Sequence, residues 1–271
     1  MTPAWARWEL HPSVLIGLIL LAGLYVILGG LSAPRRQVAA FGGALCVLFA
    51  ALNGPLHELS DRYLFSAHMA QHLALTLAFP PLLLYGLPAR VVQPLFRPAA
   101  LARLGRFVTR PLVAAVAFTV PIVLWHVPVF YEAAMRDHDL HIVQHLVFLG
   151  TAVLMWWPVL SPVPELPRAA YPVQLLYLFL LGIPMSVTGA LITLADRVLY
   201  PFYETAPRVW GLTPLVDQQI GGLMMWVPGG LALWAAMTVV WFRWSAREER
   251  GDAERAVPLE AYPGGSRGGG S

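Results

Sequence analysis

Seven long runs of uncharged, mostly apolar residues constrain this chain more than any other feature of its sequence. Each run is long enough, or nearly so, to cross the ~30 Å hydrocarbon core of a membrane as an α-helix. In lipid, a helix is the open-ended backbone form that satisfies its own hydrogen bonds. The runs cover residues 13–31, 37–53, 63–87, 111–130, 140–160, 171–194 and 218–242.

The predicted fold is all-α: a polytopic membrane protein with seven transmembrane helices. Only 12% of the 271 residues are charged, about half the share in soluble domains, which argues against a water-soluble globule. Residues 1–244 form the membrane domain, and residues 245–271, charged and then rich in Gly and Ser, predict a disordered cytoplasmic tail that is in part linker-like. Prolines inside the spans predict kinks, with neighbouring helices bonding the carbonyls that proline leaves free; these are Pro80, Pro81, Pro121, Pro184 and Pro228.

The arginines indicate how the chain is oriented. With seven spans, thirteen of its 18 basic residues, all arginine, lie on one side of the membrane and five on the other. The positive-inside rule then places the N-terminus outside and the C-terminus in the cytoplasm. The net charge of +3 is too small and too scattered to indicate a nucleic-acid partner.

Histidines form the most specific pattern in the chain. All eight fall in outer loops or at the outer ends of predicted helices; they are His11, His57, His68, His72, His126, His138, His141 and His145. Residues 68–72 and 141–145 both read His-x-x-Gln-His, which places two imidazoles and a glutamine on one helical face. Each motif follows a similar hairpin, and this suggests a duplicated helix hairpin, spans 2–3 against spans 4–5, that brings the two pairs together.

Paired histidines inside a membrane span indicate a metal site. Polar groups at such depth are costly and mark ion or substrate sites, and two histidines at i and i+4 form a metal-binding geometry. Methionines near the same end favour copper, as Cu(I) or Cu(II), among the metals that imidazole binds, and a single cysteine excludes a Cys-pair site. The predicted ligands are His68, His72, His141 and His145, with His126, His57 and Met69 as further candidates.

Four polar residues are predicted to support these ligands by hydrogen bonding; they are Asp217, Gln71, Gln144 and Gln218. Asp217 opens the last span, where a carboxylate either orients an imidazole through its second nitrogen or caps its own helix. The other acidic residues of the outer loops, Asp61 among them, are interpreted as solvated charges, with the attraction of cations to an acidic outer rim as the alternative.

Several short sequence blocks stand out between about residue 53 and residue 244: SAHMAQH at 66–72, PPLLLYGLP at 80–88, WHVP at 125–128, HIVQH at 141–145, WWPV at 156–159, and residues 217–230. Together, these blocks resemble the CtaG-type cytochrome c oxidase assembly factors. The resemblance implies a seven-helix protein of the bacterial plasma (inner) membrane that assists maturation of haem–copper oxidase. It also implies an assembly factor or metallochaperone rather than an enzyme, with copper as its metal. The implied partners are oxidase subunit I or II, membrane lipid and other copper chaperones.

Three alternatives remain open from the residues alone. The first is haem binding or delivery, because histidines on facing membrane helices can ligate haem, although two imidazoles on the same face of a helix suit a small ion better. The second is a membrane enzyme with a di-metal centre, which usually carries more ligands and adjacent His-His pairs. The third is a metal-free scaffold for oxidase subunits in which the histidines join helices by hydrogen bonds.

Overall fold

Helices account for all the regular secondary structure in the described part of the chain. The computed structural model describes Trp8 and residues 10–255, with the backbone alone for 251–255, and it contains no strand in those residues. The all-α prediction is confirmed. The α-helices are α1 Pro12–Ile27, α2 Arg35–Leu52, α3 Gly54–Arg62, α4 Phe65–Leu73, α5 Phe79–Gly86, α6 Ala89–Val92, α7 Ala99–Val108, α8 Pro111–His126, α9 Pro128–Arg136, α10 His138–Leu160, α11 Tyr171–Thr193 and α12 Pro214–Arg255.

Four of these helices, α2, α10, α11 and α12, are long and apolar enough to cross a membrane. The number rises to six if each of two bent pairs is one span: 65–86 with 89–96, bent by 98°, and α7 with α8, bent by 69°. Helix α1 is apolar but has only 16 residues. Large apolar side chains point outward from α1, α11 and α12, as in Ile27, Leu191 and Trp234. So much exposed apolar surface indicates a protein that faces lipid.

The bent span that carries α4 and α5 shows how the helices accommodate proline. Pro80 has no N–H to donate to the carbonyl of Thr76, one turn earlier. The indole N–H of Trp156, on α10, donates to that carbonyl instead, at 3.0 Å. A π-helical turn, Ala74–Ala78, joins α4 to α5 and ends two residues before Pro80. Here a neighbouring helix bonds the carbonyl that proline leaves free, as the sequence predicts.

Helix α12 continues past Trp244, the predicted end of the membrane domain, to Arg255. Side chains one turn apart bond each other there: the Trp244 indole donates to Glu248 at 3.0 Å, and the Ser245 hydroxyl donates to Glu249 at 3.2 Å. The part of the predicted tail from 245 to 255 is therefore helical, while residues 256–271 lie outside the described residues. The division into two domains stays a prediction.

Two glycines set the distance between α11 and α12. A Cβ added at Gly189 would lie 2.8 Å from the backbone nitrogen of Trp226, and one added at Gly222 would lie 2.7 Å from the backbone nitrogen of Thr193. Real Cβ atoms do not make such close contacts. The two helices can therefore approach this closely only because glycine, which has no side chain, occupies both positions.

We predict that Gly189→Ala destabilises the protein, although alanine favours helix formation. The new methyl group meets backbone, which cannot move aside without separating the helices, and such overpacking costs about 1–3 kcal/mol. Thermal unfolding in detergent measures the effect. Gly230→Ala, on α12, is the matched control, because nothing lies within 4 Å of its added Cβ, and its unfolding temperature is expected to stay the same or rise. Equal unfolding temperatures for the two variants would contradict this packing.

Candidate metal centre

The two His-x-x-Gln-His motifs face each other across the interior of the helical domain. Helix α4 carries His68 and His72, and α10 carries His141 and His145. Between the helices, the ring centroids of His68 and His141 are 5.3 Å apart, and those of His72 and His145 are 5.5 Å apart. One ring nitrogen from each of His68, His141 and His145 lies within 4.8 Å of the other two. These three imidazoles therefore have a spacing that a single metal ion can bridge.

A fifth histidine extends the cluster. His126, the last residue of α8, has its ring centroid 6.0 Å from that of His72. Its Nδ1–H donates to the carbonyl of Ile122 at 2.6 Å, and this leaves Nε2 as the nitrogen with a free lone pair. We call these five residues the histidine cluster: His68, His72, His126, His141 and His145, all of them buried.

Unpaired buried polar atoms concentrate at this cluster. In the part of the chain that the structure describes, every buried side-chain nitrogen or oxygen without a hydrogen-bond partner belongs to the cluster or to the glutamines of the two motifs. The atoms are both ring nitrogens of His68 and His72, Nε2 of His126, His141 and His145, Oε1 of Gln71, and both amide atoms of Gln144. The backbone of Ser60 lies close to the ring of His68, but it does not form a well-oriented hydrogen bond with either ring nitrogen.

Such a concentration is energetically unfavourable unless a ligand supplies the missing partners. Each buried polar group without a partner costs about 1–3 kcal/mol, and native proteins contain few of them. Neutral imidazole nitrogens suit zinc, copper, iron and nickel, whereas hard cations prefer oxygen ligands. The donors present therefore fit a transition-metal ion.

Asp61 links the cluster to the half-buried edge of the domain. One carboxylate oxygen lies 3.4 Å from Nε2 of His57 and 3.9 Å from Nδ1 of His141, and the other accepts the hydroxyl of Ser60 at 2.9 Å. The interpretation of Asp61 as a solvated loop charge was wrong. Asp61 follows His57 by four residues on α3, and that spacing is the signal that would have identified it.

Gln71 determines the tautomer of His57. Its amide nitrogen donates to the carbonyl of Ala51 at 2.7 Å and lies 3.0 Å from Nδ1 of His57. Because this amide nitrogen is a donor, Nδ1 is the acceptor, and Nε2 carries the proton that faces Asp61. Burial lowers the pKa of His57, although the neighbouring carboxylate of Asp61 opposes this shift. The neutral form of His57 is therefore favoured at pH 7.

Asp217 stabilises the start of the helix that carries the first histidine pair. Its carboxylate accepts hydrogen bonds from the backbone N–H groups of Phe65 and Ser66, at 2.6 and 3.2 Å, and from the Ser66 hydroxyl at 2.5 Å. The first N–H groups of a helix have no acceptor within the helix, and Leu64, which precedes α4, has no side-chain acceptor. Asp217 thus caps α4 rather than its own helix, and no hydrogen bond joins it to an imidazole among the described residues.

The other predicted supporting glutamines behave differently from each other. Gln218 accepts the backbone N–H of Leu199 at 2.6 Å and donates to the carbonyl of Arg197 at 3.2 Å. It therefore anchors the connection between α11 and α12 and does not contact the histidine cluster by any hydrogen bond. Gln144 is buried between His141 and His145 on α10, with both amide atoms unpaired.

Three further predicted or considered residues lie at the margin of the cluster or outside it. Met69 is buried against Gly221 of α12, on a different side of α4 from the histidines. The ring of His11 packs edge-on against that of His57, with their centroids 4.5 Å apart. His138 is exposed.

Buried tyrosines cover the cluster. The hydroxyls of Tyr131 and Tyr203 are 2.8 Å apart, Tyr200 donates to the carbonyl of His126 at 2.8 Å, and the ring centroid of Tyr131 is 5.3 Å from that of His68. Tyr200 and Tyr203 come from the connection between α11 and α12, which has no periodic pattern, so the sequence analysis missed them.

Comparisons with known proteins identify relatives across most of the chain. A family model described as cytochrome c oxidase caa3 assembly factor matches residues 13–247. Uncharacterized proteins of Mycobacterium bovis and Mycobacterium tuberculosis are each 27% identical over 237 residues, which is 81% of this chain and 35% of theirs. One from Mycobacterium leprae is 23% identical over 235 residues, or 79% and 35%. The chain thus spans about a third of the length of these relatives, and no solved structure matches it.

We predict that Asp217→Ala lowers the free energy of unfolding by about 1.5–3 kcal/mol, because three hydrogen bonds to a buried carboxylate are lost. Hydrogen exchange should show faster exchange at the Phe65 and Ser66 amides, and unfolding in detergent measures the loss of stability. Asp196→Ala is the control, because Asp196 is exposed. If the two variants unfold alike, Asp217 does not have this capping role.

Proposed function

The chain belongs to the family of cytochrome c oxidase caa3 assembly factors, and we propose that it serves oxidase assembly by binding copper in the histidine cluster. The observation that carries the proposal is the concentration of unpaired buried imidazole nitrogens in one place. Copper is the cargo, and its acceptor is oxidase subunit I or II during assembly. This role requires only the exchange of copper ligands and no covalent reaction of a substrate, so the protein is an assembly factor rather than an enzyme.

His68, His141 and His145 are the proposed copper ligands, because one nitrogen from each lies within 4.8 Å of the others. His72 follows one helical turn after His68, which is about 6 Å along the axis, and His126 lies beyond it. These two rings offer further donors, so copper can change position by exchanging one ligand at a time. Met69 is not included, since it packs against Gly221.

Asp61 and His57 form the proposed entrance to the copper site. Their side chains are 21% and 15% exposed, whereas that of His141 is 8% exposed. A carboxylate at this edge attracts a cation, and His57 offers the first imidazole. Asp61 also contacts His141, and a carboxylate in that position orients a ligating ring.

Haem and metal-free scaffolding are less well supported by the geometry. The rings of His68, His72, His141 and His145 pack with centroids 4.1–6.1 Å apart, and such packing leaves no room for a planar macrocycle among them. A scaffold of hydrogen-bonded histidines would pair the ring nitrogens between helices, but both nitrogens of His68 and His72 are unpaired. The described residues contain one group of three close histidines, which suits a single ion better than a di-metal centre.

The proposed topology has seven crossings of a bacterial plasma membrane, with the N-terminus outside and the C-terminus in the cytoplasm. It counts α1 as a span together with the four long helices and the two bent pairs. A duplicated hairpin is supported by α3 and α9, each nine residues long. Each contains a glutamate–arginine ion pair at i and i+4, Glu58–Arg62 at 3.5 Å and Glu132–Arg136 at 2.9 Å, just before a histidine helix.

We predict that replacing both His68 and His145 with leucine weakens Cu(I) binding at least about tenfold. Titration of the purified protein against a chromophoric Cu(I) chelator measures affinity and stoichiometry. His138→Leu, on α10 and exposed, is the matched control and should bind as the wild type does. Unchanged Cu(I) retention in the double variant would overturn the proposed site.

Thermal unfolding separates loss of copper binding from loss of folding. Without copper, the double variant should fold at least as well as the wild type, because apolar side chains replace buried polar groups without partners. Copper should raise the unfolding temperature of the wild type and of His138→Leu by mass action, with no rise for the double variant. A copper-induced rise of equal size in all three proteins would contradict the ligand assignment.

The proposed orientation predicts a pattern of cysteine labelling, measured in a variant whose sole cysteine, Cys46, is replaced by alanine. Asp139→Cys in this background should react with a membrane-impermeant thiol reagent in intact cells, and Arg106→Cys should react only after permeabilisation. Both positions are exposed in the structure, so burial does not limit labelling. The reverse pattern would contradict the proposed orientation.

A further inference from the structure

Arginines surround a cavity at the end of the domain opposite the histidine cluster. Helix α10 runs from His141 in the cluster to Leu160, which precedes Ser161 at this end. That distance is about 30 Å along the helix axis, which matches the hydrocarbon thickness of a membrane. A cavity of about 510 Å³ there is lined by Ser161 together with Arg168, Arg243 and Arg247. We call this the arginine cavity.

The three arginines of this cavity have no ion-pair partner among the described side chains. No acidic residue lines the cavity. The Nε–H of Arg168 donates to the Ser161 carbonyl at 3.1 Å. This hydrogen bond does not use the two terminal nitrogens of the guanidinium group. Although Arg168 is exposed, partial desolvation lowers its pKa, and the positive charge of Arg243 lowers it further. Guanidinium groups that repel each other in this way are stabilised by a bound anion.

The surroundings indicate an anion with an apolar portion. A wider, adjoining cavity of about 790 Å³ shares Arg243 and Arg247 and has walls of Tyr171, Val239 and Phe242. Phe242 is 66% exposed, so this wall continues into the lipid-facing surface of α12. Charged groups above and apolar groups below, at the level of a membrane boundary, match a phospholipid in shape and polarity.

We propose that Arg168, Arg243 and Arg247 bind the phosphate of an anionic phospholipid whose acyl chains lie along α12. Guanidinium groups bind phosphate oxygens through paired N–H donors, and basic pockets on the cytoplasmic side of membrane proteins bind anionic headgroups. The lipid neutralises the repulsion among the arginines and joins α12 to the connection between α10 and α11. This inference is independent of copper, since no residue of the histidine cluster takes part.

The test uses the full chain, delipidated in detergent, with added lipid. Phosphatidylglycerol should raise the unfolding temperature more than phosphatidylcholine does, and native mass spectrometry should show it retained. Arg168→Gln combined with Arg243→Gln should weaken phosphatidylglycerol retention about tenfold. Arg36→Gln is the matched control, because Arg36 is an exposed arginine on the same side of the protein. Its neighbour Gln37 lines a groove together with Arg168 and Arg243, but Arg36 itself does not line that groove.

Three results would overturn the proposal: equal effects of the two lipids, unchanged retention in the double variant, or the full stabilisation by inorganic phosphate alone. The last result would assign the cavity to a free phosphate. If the double variant does not fold, Arg247→Gln serves instead, because Arg247 is exposed on α12 and its replacement is not expected to affect folding. That variant should show the same selective loss of phosphatidylglycerol.

Discussion

The structure depends on one constraint: several imidazole nitrogens are buried together inside a helical membrane domain without protein partners. These side chains are buried, and each polar group that stays unpaired in such surroundings is costly. A chain that needed only packing would place apolar side chains at these positions. This arrangement is the basis of the proposal that the cluster holds a metal ion, and membership of the oxidase assembly family supports the proposed role of that ion in oxidase assembly.

The remaining features around the cluster hold its helices in place. Asp217 binds the first turn of α4, so the last helix of the chain determines where the helix of His68 begins. Trp156 bonds the carbonyl that Pro80 leaves free and so joins the bent span to α10. Buried tyrosines cover the cluster, and Asp61 connects its edge to the half-exposed side of the domain. The histidines thus approach each other because their supports come from distant parts of the sequence.

Local periodicity explains what was predictable. The i and i+4 spacing paired His68 with His72 and His141 with His145, and the repeated hairpin indicated that the pairs meet. Asp217 was identified as important, but its partners lie about 150 positions earlier, and no local pattern specifies such a contact. Tyr200 and Tyr203 come from an irregular connection. The arginine cavity forms only when α12 packs beside the connection between α10 and α11, so its arginines looked like ordinary boundary charges.

X-ray absorption spectroscopy at the copper edge of the copper-loaded protein tests the central claim most directly, because it reports the atoms bound to the metal. The account predicts a shell of nitrogen donors with the multiple-scattering pattern of about three imidazoles, as the three-histidine geometry requires. A shell dominated by sulfur or by oxygen, without an imidazole pattern, would contradict it.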